Sequence, residues 1–280
     1  MADPEQREES EPTPQARGAA FRALHDGPPF VIPNPWDAGS ARVFASLGFQ
    51  ALASTSSGFA FTLGRLDGGT TLDEVTDHTR ALTQATPLPV SVDLENGHGP
   101  RPQDAATAIL RVAEAGAVGG SIEDWDAQSG LYALELSSER VAAAVEAARS
   151  LDFPFMLTAR AENHIRGNPD LADTIARLRA YEDAGADVLY APGLRTVDEI
   201  RAVAAATSRP LNVLARSDLT FEQVAAAGGQ RVSVGGGLAW VAASAMAAAA
   251  ERILRDGDFS ALDVRAPVAE WLGRGVGKAR

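Results

Sequence analysis

The sequence predicts an α/β protein folded as a single (β/α)8 barrel of the TIM type. Three observations carry that expectation. Eight short apolar runs alternate with segments of helical apolar spacing, no linker or shift in composition divides the 280 residues, and polar and acidic residues gather where the apolar runs end. A doubly wound open sheet is the competing architecture, but no Gly-x-Gly-x-x-Gly fingerprint follows the first run.

The predicted strands are Phe30–Pro35, Ala51–Ser56, Pro89–Glu95, Gly119–Asp124, Phe155–Ala161, Val188–Pro192, Leu211–Ala215 and Arg231–Gly235. Between them, Leu171, Ile175, Leu178 and Tyr181 recur at helical spacing, and Val197–Ala206 follows the same pattern. Thr71-Leu-Asp-Glu74 has the form of a capping box that starts a helix. Glu114-Ala-Gly-Ala and Asp183-Ala-Gly-Ala-Asp187 place a glycine where a helix should stop before the next strand. Gly235-Gly-Gly237, after the last strand, suits tight strand-to-helix packing, with a phosphate-binding turn as the alternative.

Met1 to Arg17 is polar and rich in Glu, Pro and Gln, without the apolar core of a signal peptide. The expected organisation is a disordered tail over 1–18, the barrel over 19–263 and a C-terminal tail over 264–280, in a cytoplasmic protein. The Ala-rich segment near 238–250, flanked by Glu251, Arg252 and Arg255, reads as a buried helix rather than a membrane span. A formal net charge of -12 argues against nucleic acid or an anionic membrane as partner, but not against a small anionic substrate. With no cysteine, disulfides, zinc–thiolate sites and cysteine nucleophiles are excluded. No Gly-x-Ser-x-Gly elbow or Walker motif is present, which removes the common hydrolase and NTPase readings.

In a barrel the active site lies at the carboxyl ends of the strands. Asp93 and Glu95 share one face of their strand, with Val92 and Leu94 on the other, and Glu123 ends the next strand. Three converging carboxylates form a hard oxygen cluster suited to Mg²⁺ or Mn²⁺, although any one of them alone would suit a helix cap or solvent. Arg160 ends an apolar run and needs a partner for its charge. The favoured role is a fork on a substrate carboxylate; an ion pair with Glu123 or Glu162 is the alternative, and the two are compatible. Thr55, Ser56 and Ser57 before Gly58 would let backbone N–H groups approach an anion, though alone they read as a plain turn. Asp67 sits in an Asp-Gly turn. His98 and His164 follow strand ends and are candidate acids or bases, whereas His78 falls in a predicted helix and reads as a surface residue.

Together these motifs resemble the isocitrate lyase/phosphoenolpyruvate mutase superfamily, in particular its shorter bacterial branch carrying Ala-Arg-Ala-Glu-Asn and Tyr-Ala-Pro-Gly-Leu. The matching residues are Pro35-Trp-Asp37-Ala-Gly-Ser40-Ala-Arg42, Gly48-Phe-Gln-Ala51, Leu63-Gly-Arg-Leu-Asp67-Gly, Leu88-Pro-Val-Ser-Val-Asp93-Leu-Glu95-Asn-Gly97, Ser121-Ile-Glu123-Asp124, Thr158-Ala-Arg160-Ala-Glu162, Ala184-Gly-Ala-Asp187 and Asn212, spanning nearly all of the ordered chain. The resemblance implies Mg²⁺ held directly or through water by Asp67, Asp93, Glu95 and Glu123. It implies that Arg160 and the Thr55–Ser57 turn hold the carboxylate of a 2-oxo acid or its enolate, with Asn212 in the substrate site. It also implies a homo-oligomer, dimer or tetramer, in which the last helix is exchanged between subunits.

The expected activity is that of a Mg²⁺-dependent enzyme acting on a small 2-oxo or 2-hydroxy acid through an enolate, with C–C cleavage as first reading. Phosphonopyruvate chemistry, oxaloacetate hydrolysis or decarboxylation, and a non-catalytic carboxylic-acid-binding protein are the alternatives. One departure bears on all of these. The lyases carry a mobile loop after the fourth strand whose cysteine protonates the departing enolate, but Trp125-Asp-Ala-Gln-Ser-Gly-Leu-Tyr-Ala-Leu-Glu135 is shorter and has no Cys, Lys or His. The Lys and Asn of the mutase loop are missing as well. Glu95 stands where Asp is common and His98 where Tyr is usual, leaving His98, Tyr132 or a metal-bound water as the candidate proton donor.

Overall fold

Every predicted apolar run becomes a parallel strand in the computed structural model, which describes residues 12–264 and 266–273. In chain order the first elements are α1 (Pro14–Asp26), β1 (Phe30–Ile32), α2 (Ala38–Ser46), β2 (Leu52–Ala53), α3 (Ser56–Thr62), α4 (Leu72–Ala85), β3 (Val90–Asp93), α5 (Pro102–Glu114) and β4 (Gly119–Glu123). A two-stranded hairpin follows, β5 (Trp125–Asp126) and β6 (Gly130–Leu131). The chain continues as α6 (Leu134–Arg149), β7 (Met156–Arg160), α7 (Leu171–Asp183), β8 (Val188–Tyr190), α8 (Val197–Ala206), β9 (Leu211–Leu214), α9 (Phe221–Ala226), β10 (Gly229–Ser233), α10 (Gly237–Asp256) and α11 (Val268–Gly273).

The sheet runs β1-β10-β9-β8-β7-β4-β3-β2, all parallel. Its two ends meet where the Ala53 N–H donates to the Pro33 carbonyl at 3.1 Å. Asn34 sews the same seam. Its amide N–H donates to the Ser54 carbonyl, and its carbonyl accepts from the N–H groups of Val234 and Gly235 at 2.8 and 2.9 Å. The sheet is therefore a barrel and not an open doubly wound layer. Asn34 takes the Gly235 amide and the Val234 carbonyl takes that of Gly237, two of the three that a phosphate-binding turn at Gly235–Gly237 would offer. A Cβ on Gly236 would lie 2.6 Å from the Ser57 hydroxyl, so the packing role of that glycine is the one the fold uses.

Local signals act as expected. Thr71 and Glu74 form the capping box of α4, and Gly116 and Gly185 take positive φ after α5 and α7, a conformation that costs glycine nothing. Two boundaries differ from expectation. The helix α1 begins at Pro14, inside the predicted tail, because Thr13 caps it and Phe21 drives into the barrel floor beside Phe30, Ile32 and Val118. At the other end, α11 forms within the predicted C-terminal tail, and its carbonyls accept from Arg42 and Ser46 of α2. Residues 1–11 of the predicted N-terminal tail and residues 274–280 of the C-terminal one lie outside the described residues.

Two further expectations are corrected. His78 is buried, stacked on Phe59 at 3.9 Å between ring centroids and bonded to the Trp36 carbonyl, because its helix turns that face toward α2 and α3. Helix α10, expected to be buried, packs only its first turn on the barrel, and Ala239 is its one buried residue. Val241, Met246 and Leu254 stand exposed. By length and composition α10 is long and apolar enough to cross a membrane.

Candidate active site

Asp93 and Arg160 end neighbouring regions of the barrel mouth, and their side chains meet across it. Arg160 Nη1 donates to Asp93 Oδ1 at 2.7 Å, Nε and Nη2 both donate to Glu162 Oε1, at 3.1 and 2.9 Å, and Nη2 is ion-paired with Glu123 Oε2 at 2.8 Å. The pairing of β4 with β7 sets Glu123 directly beside Arg160, so this contact follows from sheet register. A guanidinium has five N–H groups. Three are hydrogen-bonded here, the second on Nη2 meets Glu123 only as an ion pair, and one on Nη1 is uncommitted. The ion pairs weighed as an alternative for Arg160 are thus present, together with one to Asp93.

Glu123 and Glu162 are each shared with a second arginine that sequence reasoning missed. Arg166 Nη2 donates to Glu123 Oε1 at 3.3 Å and Nε to Glu162 Oε2 at 3.1 Å, while its guanidinium lies 3.6 Å over the Trp125 ring. The i,i+4 spacing of Glu162 and Arg166 was the available signal; the stacking on Trp125 had none. Burial, opposed by Arg160 and reinforced by Glu162 and Asp93, pushes the Glu123 carboxyl well above the usual range.

Asp93 is held in the opposite direction. Burial works against its charge, but Arg160 and the bonds from Ser56 outweigh it and keep the carboxyl below its ordinary value. The Ser56 N–H donates to Asp93 Oδ2 at 3.3 Å, so one amide at the start of α3 is already committed. Thr55 caps α3 through Gly58, and its hydroxyl lies 3.2 Å from that of Ser57. The Thr55–Ser57 turn is therefore a helix N-terminus facing the acids rather than a plain turn.

Glu95 and Asp67 complete the acidic side. Glu95 adopts a left-handed φ of 50° just past β3 and accepts from Thr70 at 3.1 Å. Burial, then Asp93, then Asp67 push its carboxyl up to about 7. Asp67, on an exposed loop, is raised by burial of its carboxyl and by Asp93, against Ser56 and Arg160. Among the described residues, no three His, Asp or Glu side chains form a ready-made cage for a metal ion. The donor chemistry still fits a hard cation. Asp67, Asp93 and Glu95 offer carboxylate oxygens that repel one another, and Mg²⁺ is commonly held by one or two carboxylates with the rest of its shell water.

The loop from Leu94 to Arg101 carries His98, whose φ is also left-handed at 58°. Arg140, almost fully buried, clamps this loop through the carbonyls of Asn96, Gly99 and Arg101. Burial lowers the proton affinity of His98, Asp93 partly offsets this, and its Nε2 is buried with no partner in the protein. Tyr132 is buried and its hydroxyl accepts from Asn96, beside Asp126. His164, the other strand-end histidine, faces Thr174 and Glu199 on the helical side, away from the acids. Asp124 is spent within the fold, bonded by Tyr181, Arg177 and the Glu162 N–H.

Asn212 is buried in the barrel, where its amide bonds Ser233 and accepts from Arg231 at 2.7 Å. Arg231 in turn reaches Thr158 and His25. The structure thus brings Asp67, Asp93, Glu95, Glu123, Arg160 and the Thr55–Ser57 turn together, and places Asn212 lower in the barrel interior.

The acid cluster and buried arginine stand at the carboxyl ends of the strands of a (β/α)8 barrel, the end at which enzymes of this fold carry their active sites. The chain belongs to the phosphoenolpyruvate phosphomutase family, whose model matches residues 21–254. It is 32% identical over 253 residues to an oxaloacetate decarboxylase of Rhodopseudomonas palustris, covering 86% of each chain. A solved Burkholderia cenocepacia protein, described as a lyase or mutase, is 50% identical with a TM-score of 0.91, over 94% of this chain and 98% of that one. Phosphonopyruvate hydrolase, solved with oxalate and Mg²⁺, shares the fold at 24% identity and a TM-score of 0.82, over 92% of this chain and 95% of that one. Relatives and neighbours in the phosphoenolpyruvate mutase/isocitrate lyase superfamily are lyases, mutases and hydrolases, and this chain is an enzyme of that superfamily.

Proposed function

We propose that this enzyme is a Mg²⁺-dependent carbon–carbon lyase acting on a small 2-hydroxy or 2-oxo acid through an enolate. The observation that carries the reading is the approach of Arg160 to Asp93, beside the mutually repelling Glu95 and Asp67. Anionic oxygens of a substrate need positive charge on both sides, and this mouth offers a guanidinium on one and a cation-seeking acid group on the other. Asp67, Asp93 and Glu95 would hold the ion, with Glu123 reaching it through water because both its oxygens serve arginines. The ion supplies charge stabilisation for a developing enolate, in general the largest catalytic contribution of such a site.

The remaining chemistry falls to the chain itself. The free N–H of Arg160 and the Thr55–Ser57 turn orient the substrate carboxylate. His98 is neutral near pH 7 and has a ring nitrogen without a protein partner, which suits it to take the 2-hydroxyl proton. The C–C electron pair then passes to the leaving fragment as a carbonyl forms, and the same imidazole can return the proton to that fragment's carbon.

The hairpin β5–β6 favours a second reading. Its turn is pinned by Asp126, which accepts from Gln128 and Ser129, so the carboxylate of this segment is held as an acceptor and is no proton donor. Loss of CO₂ from a 2-oxo diacid needs no proton donor in the bond-breaking step, and the decarboxylase relative has that chemistry in its name. Exposed α10 supports a homo-oligomer in which a second copy covers this helix.

Calorimetric titration of oxalate, an enolate mimic, with Mg²⁺ and again with chelator tests the proposal. Binding that requires Mg²⁺ is expected. No binding in either condition would remove the metal–Arg160 clamp.

A further inference from the structure

We propose that Arg166, laid flat on Trp125, is the specificity residue that grips a second anionic group on the substrate, so that the enzyme selects dianionic 2-oxo or 2-hydroxy acids over monoanionic ones. The inference deepens the proposed function and rests on it.

The argument is a count of donors. Arg160 is heavily engaged: three of its N–H groups are hydrogen-bonded to Asp93 and Glu162, Nη2 is also ion-paired with Glu123, and its side chain is only 13% exposed. One remaining N–H is enough to orient a single carboxylate, but not to hold two anionic groups. Arg166 commits one N–H from Nε and one from Nη2, which leaves three of its five free, and its side chain is 34% exposed. Both arginines bind the same two carboxylates from opposite oxygens, so the free edge of Arg166 lies one carboxylate away from the Arg160 clamp.

Trp125 explains why this edge is pre-set. A guanidinium stacked on an indole keeps its in-plane N–H groups available while its plane is fixed. Trp125 is the first residue of the hairpin, and that hairpin is itself anchored, since Asn96 donates to Asp126 and Tyr132. The segment that carries the acid in the lyases has here become a shelf for an arginine. In C–C cleavage the negative charge moves to the leaving fragment, and a distal carboxylate on that fragment is where a second cation stabilises it. A decarboxylase gains nothing from such a grip, because holding the departing carboxylate in its charged form opposes its loss as neutral CO₂.

The test uses two ligands with Mg²⁺ present. Oxalate probes the Arg160 clamp alone, and 3,3-difluorooxaloacetate adds a distal carboxylate to the same 2-oxo acid head. Arg166→Gln should weaken difluorooxaloacetate by about tenfold or more, the loss of a charge-assisted bond, and leave oxalate within about threefold. Arg166→Lys should restore part of the difference, and Trp125→Leu should reproduce part of the loss with the charge still in place. Equal loss for both ligands, or for neither, would overturn the inference, as would wild-type protein that binds oxalate but not the longer dianion. Wild-type protein that binds neither ligand would overturn the proposed function itself. Thermal unfolding of each variant separates these outcomes from misfolding, and a variant that melts early is replaced in the comparison by Trp125→Leu.

Discussion

Arg160 Nη1 reaches Asp93 Oδ1 at 2.7 Å, joining the ends of two strands that are separated by β4 in the sheet. Both side chains are largely buried, and the pair is the electrostatic hinge of the mouth. Arg160→Met leaves Asp93 without its arginine and Glu123 and Glu162 with Arg166 alone. Breaking a buried pair from one side costs about 3–5 kcal/mol. Urea unfolding should show a loss of that order, and an unchanged midpoint would mean that the acids are not held by this arginine. Arg160→Lys should keep more of the stability and still lose Mg²⁺-dependent oxalate binding, because a point charge cannot replace a fork.

Glu95 gives a prediction with a defined sign. Its folded carboxyl titrates at about 7, above the ordinary value of 4.5, so the native state holds the extra proton between those values. Its contribution to stability is present below about pH 4.5 and is lost as pH rises through 7. Without metal, Glu95→Gln should therefore be more stable than wild type at pH 8, by about 1–3 kcal/mol. The same change should weaken Mg²⁺ binding, and denaturation with and without chelator reads both effects.

Two histidines act in the opposite sense. Burial, with Arg231 beside it, lowers His25 to about 3, and burial lowers His78 to about 4. The unfolded chain takes up these protons near pH 6.5, so the stability they contribute is full above that value and is lost as pH falls toward 4 and 3. His25 Nδ1 faces the Phe21 carbonyl and its Nε2 faces Arg231, which requires the Nδ1–H tautomer. The ring resonances of both residues should stay fixed between pH 5 and 8 in the folded protein. A midpoint near 6.5 for either would contradict this burial.

The assembly prediction concerns α10. Val241 and Met246 stand exposed on a helix with almost no cover from the described residues. Sedimentation should give a dimer or larger species, and Met246→Glu with Val241→Glu should shift it to monomer without changing the barrel's circular dichroism. A wild-type monomer would refute the covered-helix reading.

How much of this could be read in advance differs from residue to residue. Asp93, Glu123 and Arg160 were legible because each ends an apolar run, and in a parallel barrel all such ends open at one mouth; Glu95, expected in the strand on the Asp93 face, instead follows it with a left-handed φ of 50°, because the strand stops at Asp93. The alternation of runs determined the barrel, the capping box of Thr71 and Glu74 determined a helix start, and the absence of cysteine removed the usual lyase acid. Arg166, Arg140 and Trp125 were not legible. Arg166 lies in a turn and Trp125 in a two-residue strand, where no period fixes direction, and Arg140 is a charged residue on the buried face of α6; their roles depend on contacts with residues far along the chain. The burial of His78 and the exposure of α10 were misread for a related reason: helical spacing gives a helix its faces but does not say which face meets a neighbour. The sequence by itself thus determined the fold class and placed Asp93, Glu123 and Arg160 at the mouth, since both follow from local periodicity, whereas Asp67 was reached only through the family resemblance. Tertiary structure alone decided that Arg160 spends its donors on those acids while Arg166 keeps its own, because the number of free N–H groups depends on which carboxylates the closed barrel brings within about 3 Å.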